Sequence, residues 1–291
     1  MSVMPKISVI IPVFNDQRGI NACLVALARQ TLPASSFEVI VVDNDSSPPI
    51  LLNTTGQSIH LIHCPHPGSY SARNFGITKA KGEILAFTDA DCQPEEDWLK
   101  HAIAPLIKDA NIIVGGDVLV STRSSPNALE LYQKLTAFDQ RKNIEELGFS
   151  VTANLIARKT IFDHIGTFDE ELLAGGDLEW CWRAKQAGYA IHHQESAAVY
   201  TPARTSLSDA IRQARRVQGG RIALRKKNRS HAPEHAVGAH RGTVASFIWI
   251  LQQRELNTFE KLRVLMVAAT LKGSRLIENF RLMLGQEPER R

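Results

Sequence analysis

The sequence lacks three features that would define its class at once: paired cysteines, long apolar segments and a large net charge. Its four cysteines, in 291 residues, are scattered without a C-x-x-C pair, so we expect neither a disulfide framework nor a structural zinc site. The longest apolar runs, near residues 7–14 and 264–271, are far shorter than the roughly 20 residues that a membrane span requires. Pro12 interrupts the apolar stretch behind Lys6, which argues against a secretory signal. We therefore expect a cytoplasmic protein.

Composition and charge divide the chain into two regions. With 44% hydrophobic and 22% charged residues, the sequence has enough apolar material for one large core or two modest ones, which excludes wholesale disorder. Residues 1–200 carry a net charge of −7, whereas residues 201–291 carry +11. The acidic region 1–200, called the body, is suited to binding a metal ion. The basic region 201–291, called the tail, is suited to binding phosphate, membrane lipid or nucleic acid.

The first hundred residues alternate between strand and helix patterns. Continuous β-branched runs predict buried parallel strands, and apolar residues at helical spacing predict the intervening helices. This order predicts an α/β fold with a Rossmann-like, doubly wound, mostly parallel sheet. The predicted strands are 7–13, 37–42, 59–64, 83–88, 112–120, 150–156 and 189–193, and the predicted helices are 20–30, 69–80, 178–187, 207–227, 243–251 and 258–284. Residues 126–146 are predicted to be mostly helical, 162–182 to hold turns, and 228–242 to form a mobile loop.

Polar side chains follow three of the predicted strands at the point where each strand ends: Asn15, Asp43, Asp45, Asp89 and Asp91. Ligands of open α/β sheets bind outside the carboxyl ends of the strands. Asp and Asn are also common in loops because they stabilise turns, so any one of these residues could serve that purpose alone. Three such strand ends in succession favour a binding site.

The pair Asp89 and Asp91 is the strongest local signal. Two carboxylates just beyond a buried strand can hold Mg²⁺ or Mn²⁺, which usually complete their shell with water and phosphate oxygens. With 13 Asp residues, about one D-x-D pair is expected by chance, and Asp43 and Asp45 form a second one. The position at the strand end is what distinguishes Asp89 and Asp91.

The ordered succession of segments 7–16, 37–47, 68–99 and 151–191 resembles family 2 inverting glycosyltransferases with the GT-A fold. The resemblance covers roughly residues 6–204 and only loosely the tail. It implies a GT-A nucleotide-sugar-binding and catalytic domain at 1–204, followed by a basic helical extension at 205–291.

The resemblance also implies roles for the residues at the strand ends. Asp43 matches the acid that accepts a hydrogen bond from the donor's base, commonly uracil, and Pro12, Val13 and Asn15 lie beside the same nucleotide. Arg73 matches a residue that reaches the base or phosphate, although an ordinary ion pair would also explain it. Asp91 matches the main metal contact and Asp89 the residue nearer the ribose or the metal's waters.

The catalytic base is expected near the start of the helix predicted at 178–187. Asp177 matches the base that removes the acceptor hydroxyl's proton, and Asp177, Glu179 and Arg183 keep the family spacing. Gly176 departs from the family, which often has Glu at this position. Glu179 is the alternative base, or an acid that interacts with the helix dipole.

A second departure concerns the third metal contact. The family often has a His after its last strand, where this chain has Thr201, and His192 and His193 come too early and are expected to be strand residues. The third protein contact to the metal is therefore left open.

The basic tail offers several interpretations. Arg216 could contact the diphosphate or belong to a solvated basic helix. Four arginines of the tail are predicted to line the rim of the donor or acceptor cleft: Arg212, Arg215, Arg216 and Arg221. The last helix is expected to pack through Phe259, Leu262, Leu265, Met266, Ala269 and Leu276, rather than to lie on an anionic membrane.

The expected function is transfer of a sugar from a nucleotide-sugar donor, most simply a UDP-sugar, to a glycan, lipid-linked or glycolipid acceptor. A divalent metal and Asp177 would serve catalysis, and the basic tail could make peripheral contact with the inner face of the membrane. A non-catalytic nucleotide-sugar-binding scaffold is the alternative. Nucleic-acid binding by the tail is less favoured, because its basic run lacks interleaved aromatic residues.

Overall fold

The computed structural model describes residues 7–52, 58–227 and 243–289, and the loop predicted at 228–242 lies outside them. The chain forms two compact units. The first, called the sheet unit, comprises Met1–Leu119, Phe138–Glu171 and Gly176–Thr201. The second, called the helical unit, comprises Val120–Ala137, Leu172–Gly175 and Pro202–Arg291. The predicted division at residues 204 and 205 stays a prediction.

An eight-stranded sheet with the order β3-β2-β1-β4-β7-β6-β8-β5 organises the fold. Strands β1, β2, β3 and β4 pair in parallel, whereas β7 runs antiparallel to both β4 and β6. The α/β fold and the parallel character of its first half follow the prediction. The strands are β1 (Ile7–Val13), β2 (Phe37–Asp43), β3 (Ile59–His63), β4 (Ile84–Thr88), β5 (Gln93–Pro94), β6 (Ile112–Ser121), β7 (Asn154–Arg158) and β8 (Ala190–Pro202).

The central strands are apolar throughout because both faces of the sheet are covered. Every residue of β2 and β4 is buried, and β1 is buried except for one half-buried position. The helices of the sheet unit are α1 (Gln17–Leu27), α2 (Ser69–Lys79), α3 (Trp98–Lys108), α5 (Gln140–Glu145), α6 (Lys159–Ile165) and α7 (Gly176–Gln186).

Helix α2 lies unusually close to the sheet, and Gly76 is the reason. A Cβ atom at Gly76 would come 2.5 Å from Cγ2 of Ile10 on β1 and 3.2 Å from Cγ2 of Val42 on β2. Because Gly76 has no side chain, α2 can pack closely against β1 and β2 at this point. This close packing fixes the side chains that α2 presents at the strand ends.

Several predicted boundaries are wrong in the second half of the sheet unit. The strand predicted at 150–156 is Asn154–Arg158, because residues 152 and 153 form a turn and the Ser150 hydroxyl donates to the carbonyl of Asn154 at 3.2 Å. The strand predicted at 189–193 continues to Pro202, through a polar stretch without the alternation that marks a strand. Helix α6 occupies part of the region predicted to hold turns.

The helical unit contains α4 (Ala128–Thr136), α8 (Leu207–Lys227), α9 (Thr243–Gln252) and α10 (Thr258–Met283). Asn127 and Glu130 cap α4 reciprocally, and Asn257 and Glu260 do the same for α10. Helix α10 packs against α4 and α8 as expected, but not through the predicted face. The buried face is Val264, Val267, Ala268 and Leu271, whereas Phe259, Leu262, Met266, Ala269 and Leu276 of the predicted face are exposed. Within the described residues, no helix has the length and apolar character needed to cross a bilayer.

Candidate active site

The ends of β1 and β2 carry one side of the site. Val13 and Asp43 are paired across the two strands, and Pro12 pairs with Val42. Asn15, in a left-handed conformation with φ of 52°, accepts a hydrogen bond from the backbone N–H of Ser47 at 2.8 Å. The structure thus brings together the four residues predicted to surround the nucleotide: Pro12, Val13, Asn15 and Asp43.

The Asp43 carboxylate is buried and organises the loop that follows β2. It accepts hydrogen bonds from the backbone N–H groups of Ser46 at 2.9 Å and Ile50 at 3.1 Å. Each carboxylate oxygen has two lone pairs, so these bonds leave acceptor capacity for a base N–H. These hydrogen bonds show that Asp43 stabilises the loop after β2. The binding of a nucleotide base by Asp43 stays a prediction.

Arg73 and Asp89 form the centre of the site. The Arg73 guanidinium, whose side chain is 4% exposed, donates from Nη2 to Oδ1 of Asp89, whose side chain is 40% exposed. Its Nε and the hydroxyl of Thr88 are buried and have no hydrogen-bond partner among the described residues. Unsatisfied buried donors are costly and demand an explanation. A charged, incompletely satisfied cluster at the end of β4 is typical of a binding site.

The acid pair also sets the local electrostatic potential. Burial raises the pKa of the Cys23 thiol, and the charges of Asp91 and Asp89 raise it further. Burial likewise raises the pKa of Cys92, whose sulfur lies 3.9 Å from Oδ1 of Asp91, and both carboxylates add to the effect. The negative charges of Asp89 and Asp91 thus act on both buried thiols.

The donor set at this strand end suits a divalent metal. Asp89 and Asp91 supply hard oxygen donors on half-buried side chains. Among residues 7–52, 58–227 and 243–289, no group of three or more His, Cys, Asp or Glu side chains is arranged to hold a metal by itself. A metal here would need oxygen ligands from a phosphate group or water, as Mg²⁺ and Mn²⁺ commonly have.

Asp177 lies at the start of α7 and is held by three donors. Its Oδ1 accepts the backbone N–H of Leu178 at 2.9 Å and the hydroxyl of Tyr70 at 3.3 Å. The backbone of Thr152 also donates to this carboxylate. Burial raises the pKa of Asp177 above its usual value, while these bonds and the nearby Arg73 oppose the increase. A carboxylate with a raised pKa is suited to accepting a proton.

Glu179 has a different environment, although it lies only two residues away. Its Oε1 accepts from Nε of Arg183 at 2.6 Å, and its Oε2 accepts from Nη2 at 2.9 Å. Arg183 also donates to the backbone carbonyls of Ile165 at 2.5 Å and Thr167 at 2.7 Å. The bidentate pair thus attaches α7 to the segment after α6.

The remaining predicted residues lie elsewhere. His192 and His193 belong to β8 as expected, and Nε2 of His193 lies 2.7 Å from Oδ1 of Asp117. Thr201 is buried within β8 rather than after it. Arg216 lies on α8 of the helical unit, so its contact with a diphosphate stays a prediction.

Sequence reasoning placed Arg73 of α2 in the site but missed Tyr70 and Asn74 on the same helix. Tyr70 contacts Asp177, Arg73 contacts Asp89, and Asn74 donates to the carbonyl of Phe168 at 2.8 Å. Tyr70 and Arg73 are three residues apart, which places them on the same face of the helix. The glycine at 176 was the available signal, because it leaves room for a large side chain nearby.

The fold is that of glycosyltransferases of the GT-A class. A mannosyltransferase from Pyrobaculum calidifontis, solved in complex with GDP-Man and Mn²⁺, has a similar structure with a TM-score of 0.65 at 17% identity. The similarity covers 98% of this chain and 89% of that one.

Sequence comparison gives the family. The model for glycosyl transferase family 2 matches residues 8–166. Glycosyltransferase AglE from Haloferax volcanii is 35% identical over 77% of this chain and 75% of its own length. A pre-mycofactocin glycosyltransferase from Mycobacterium tuberculosis is 27% identical over 70% of this chain but 44% of its own length. The chain belongs to glycosyl transferase family 2 and is a glycosyltransferase.

Proposed function

We propose that this glycosyltransferase is a metal-dependent inverting enzyme with a UDP-sugar donor and a hydroxyl acceptor on a glycan, lipid-linked glycan or glycolipid. One observation carries the proposal: α2 connects the Asp177 carboxylate to the Arg73–Asp89 pair through Tyr70 and Arg73, which are adjacent on one helix face. A proton acceptor and a diphosphate-binding cluster are therefore within the reach of one nucleotide sugar and its acceptor.

The nucleotide occupies the ends of β1 and β2 in this proposal. Asp43 accepts the imide N–H of uracil with a lone pair that the loop leaves unused, and Pro12, Val13 and Asn15 flank the base and ribose. Guanine also presents an N–H beside a carbonyl, so the donor screen described below includes GDP-sugars.

Asp177 removes the proton from the acceptor hydroxyl in this mechanism. The oxygen forms its bond to the anomeric carbon from the face opposite the nucleotide, while the bond from that carbon to the phosphate oxygen breaks. The nucleoside diphosphate leaves with its electron pair, and Arg73 stabilises the developing negative charge. Asp89 and Asp91 would hold Mn²⁺ or Mg²⁺, which would supply further charge neutralisation when bound.

The geometry supports Asp177 over Glu179 as the base. Both Glu179 oxygens accept from the Arg183 guanidinium, which also donates to the carbonyls of Ile165 and Thr167, so Glu179 helps to attach α7 to its neighbouring segment. Burial raises the pKa of Asp177, which suits this carboxylate to accept a proton.

The basic tail adds a proposed location for the enzyme. Residues 205–291, taken as a separate extension, would bring the enzyme to the inner face of the cytoplasmic membrane by attraction to anionic lipid. Arg216 would reach the diphosphate. The exposed apolar residues of α10, such as Phe259 and Leu276, are consistent with contact to lipid.

The test is a thermal-shift screen of UDP- and GDP-sugars with and without Mn²⁺, followed by an assay of nucleotide release. We expect one UDP-sugar to raise the melting temperature only when Mn²⁺ is present, and to be turned over. Stabilisation by a GDP-sugar and not by any UDP-sugar would show that the donor is a GDP-sugar. Binding without any nucleotide release, with acceptors and with water, would instead indicate a non-catalytic scaffold.

A further inference from the structure

Gly176 lies beside the proposed base Asp177, and the structure shows which side chain fills the space next to its backbone. A Cβ atom at Gly176 would lie 2.7 Å from Cε2 of Tyr70 and 2.9 Å from both Cδ2 and Cζ. No side chain fits at 176 while the phenol ring is present. The ring of Tyr70 thus occupies the space beside Asp177 that a side chain at 176 would take.

The Tyr70 ring is fixed in this place by its surroundings. The residue is 6% exposed, and its ring lies 5.7 Å from that of Phe168, between centroids. The guanidinium carbon of Arg73 lies 5.7 Å from the centroid on the same helix. A phenol packed in this way has little freedom to leave Asp177.

The Tyr70 hydroxyl contacts Asp177 twice. It lies 3.3 Å from Oδ1 of the carboxylate, to which it donates, and 3.3 Å from the Asp177 backbone N–H, from which it accepts. Burial and the charge of Asp177 raise the pKa of Tyr70, so the phenol keeps its proton and remains a donor. One hydroxyl therefore orients both the backbone and the carboxylate at the start of α7.

We propose that Tyr70 is the positioning residue for the base Asp177, and that Gly176 is the partner that makes room for it. This inference deepens the proposed function. A Glu at 176 would place a second negative charge beside the base, which raises a carboxyl pKa, whereas the neutral phenol donates to the base and lowers it. The pair Tyr70 and Gly176 thus extends the pH range in which Asp177 is ionised towards the acid side.

The central variant is Tyr70→Phe, which keeps the ring and removes the hydroxyl. Since the hydroxyl favours the ionised form of Asp177, its loss raises the carboxyl pKa, and the acid limb of kcat/KM moves to higher pH. We expect kcat to fall by roughly ten-fold, the effect of losing one hydrogen bond to a charged group, with little change in the donor KM. Tyr189→Phe is the matched control, because Tyr189 bonds His164 at 2.9 Å instead.

A second pair of variants tests whether the Tyr70 ring and a side chain at 176 compete for the same space. Tyr70→Ala opens the space at 176, and the double variant Tyr70→Ala with Gly176→Glu places a carboxylate there. We expect the double variant to recover part of the kcat that Tyr70→Ala loses, with an acid limb at higher pH than in the wild type. Gly176→Ala alone is expected to displace the ring and to resemble Tyr70→Phe.

Titration of Asp177 by ¹³C NMR keeps the inference separate from the proposed function, because it needs no turnover. In folded Tyr70→Phe protein the Asp177 carboxyl should titrate at higher pH than in the wild type and in Tyr189→Phe. An unchanged titration would overturn the positioning role, even in an active enzyme. If the Asp177 titration shifts but the wild-type protein transfers no sugar, the hydrogen bond between Tyr70 and Asp177 is supported and the proposed function is refuted.

Discussion

The two units differ in the surroundings of their buried cations. In the sheet unit the buried Arg73 is paired with Asp89, and Arg183 with Glu179. In the helical unit, burial and the neighbouring Arg275 and Arg225 lower the pKa of Arg221 to about 10. Burial and Arg275 also lower the pKa of Lys272, and the buried Nζ of Lys272 and Nε of Arg275 have no hydrogen-bond partner among the described residues. Arg73 and Arg183 of the sheet unit are thus paired with carboxylates, whereas the helical unit also contains neighbouring cations that repel one another and suit an external anion.

The largest effect is expected from the base of the sheet unit. Asp177→Asn keeps the shape of the side chain but removes its ability to accept a proton. Donor binding should persist, whereas turnover should fall by roughly two to four orders of magnitude, the range attributed to general-base catalysis. Nucleotide release under saturating donor measures this. Turnover that survives Asp177→Asn and is lost in Glu179→Gln would transfer the role to Glu179.

The metal prediction concerns the strand-end acids. Asp91→Asn removes one negative charge from the end of β4, so the stabilisation of the protein by UDP with Mn²⁺ should disappear. Asp45→Asn is the matched control: it alters the other D-x-D pair, its side chain is 68% exposed, and Asn tolerates its left-handed conformation. Differential scanning fluorimetry with UDP, with and without Mn²⁺, gives the comparison. Equal Mn²⁺-dependent shifts in both variants would contradict the assignment.

The contrast between paired and unpaired cations can be tested within one helix. Arg281→Gln removes the partner of the fully buried Glu278, whose Oε2 lies 2.8 Å from Nη1, and should destabilise the fold by about 1–3 kcal/mol. Arg275→Gln removes a cation that opposes the charges of Arg221 and Lys272, and should leave stability unchanged or raise it by up to about 1 kcal/mol. Urea unfolding measures both. An equal loss of unfolding free energy in both variants would contradict the distinction between paired and unpaired cations.

The smallest effect is expected from the basic face of α8. Charge reversal of Arg215 and Arg216 should raise the apparent KM for donor or acceptor if these residues face the substrate. The defect should shrink as salt screens the attraction, over a Debye length of about 10 Å at 0.1 M. Steady-state kinetics at two ionic strengths measures this, with Arg254→Glu as the comparison, since Arg254 is exposed and lies outside α8. Unchanged kinetics would reduce α8 to a solvated helix.

The sequence predicts the parallel half of the sheet well, because β1, β2 and β4 are continuous apolar runs buried on both faces. It predicts β8 poorly, because polar residues such as His192, Gln194 and Glu195 occur within the strand. It also misplaces the exposed face of α10. Two rows of apolar residues run along this helix, and only tertiary packing decides which one is buried.

The candidate site is predictable where chemistry sits at strand ends and unpredictable where it depends on packing. Asp89 and Asp91 follow a recognisable strand, whereas the bond between Tyr70 and Asp177 joins residues 107 positions apart. No local pattern encodes such a contact. The glycine at 176 is its only trace in the sequence, and its meaning depends on the position of the Tyr70 ring.

The most direct test of the account is the anomeric configuration of the first product. The enzyme, Mn²⁺ and the α-linked UDP-sugar identified by the donor screen are followed by proton NMR, with water as the acceptor. Attack from the face opposite the nucleotide, assisted by Asp177, predicts that the β-anomer appears first and that mutarotation follows. Initial release of the α-anomer would contradict the inverting mechanism and the role of Asp177 as its base.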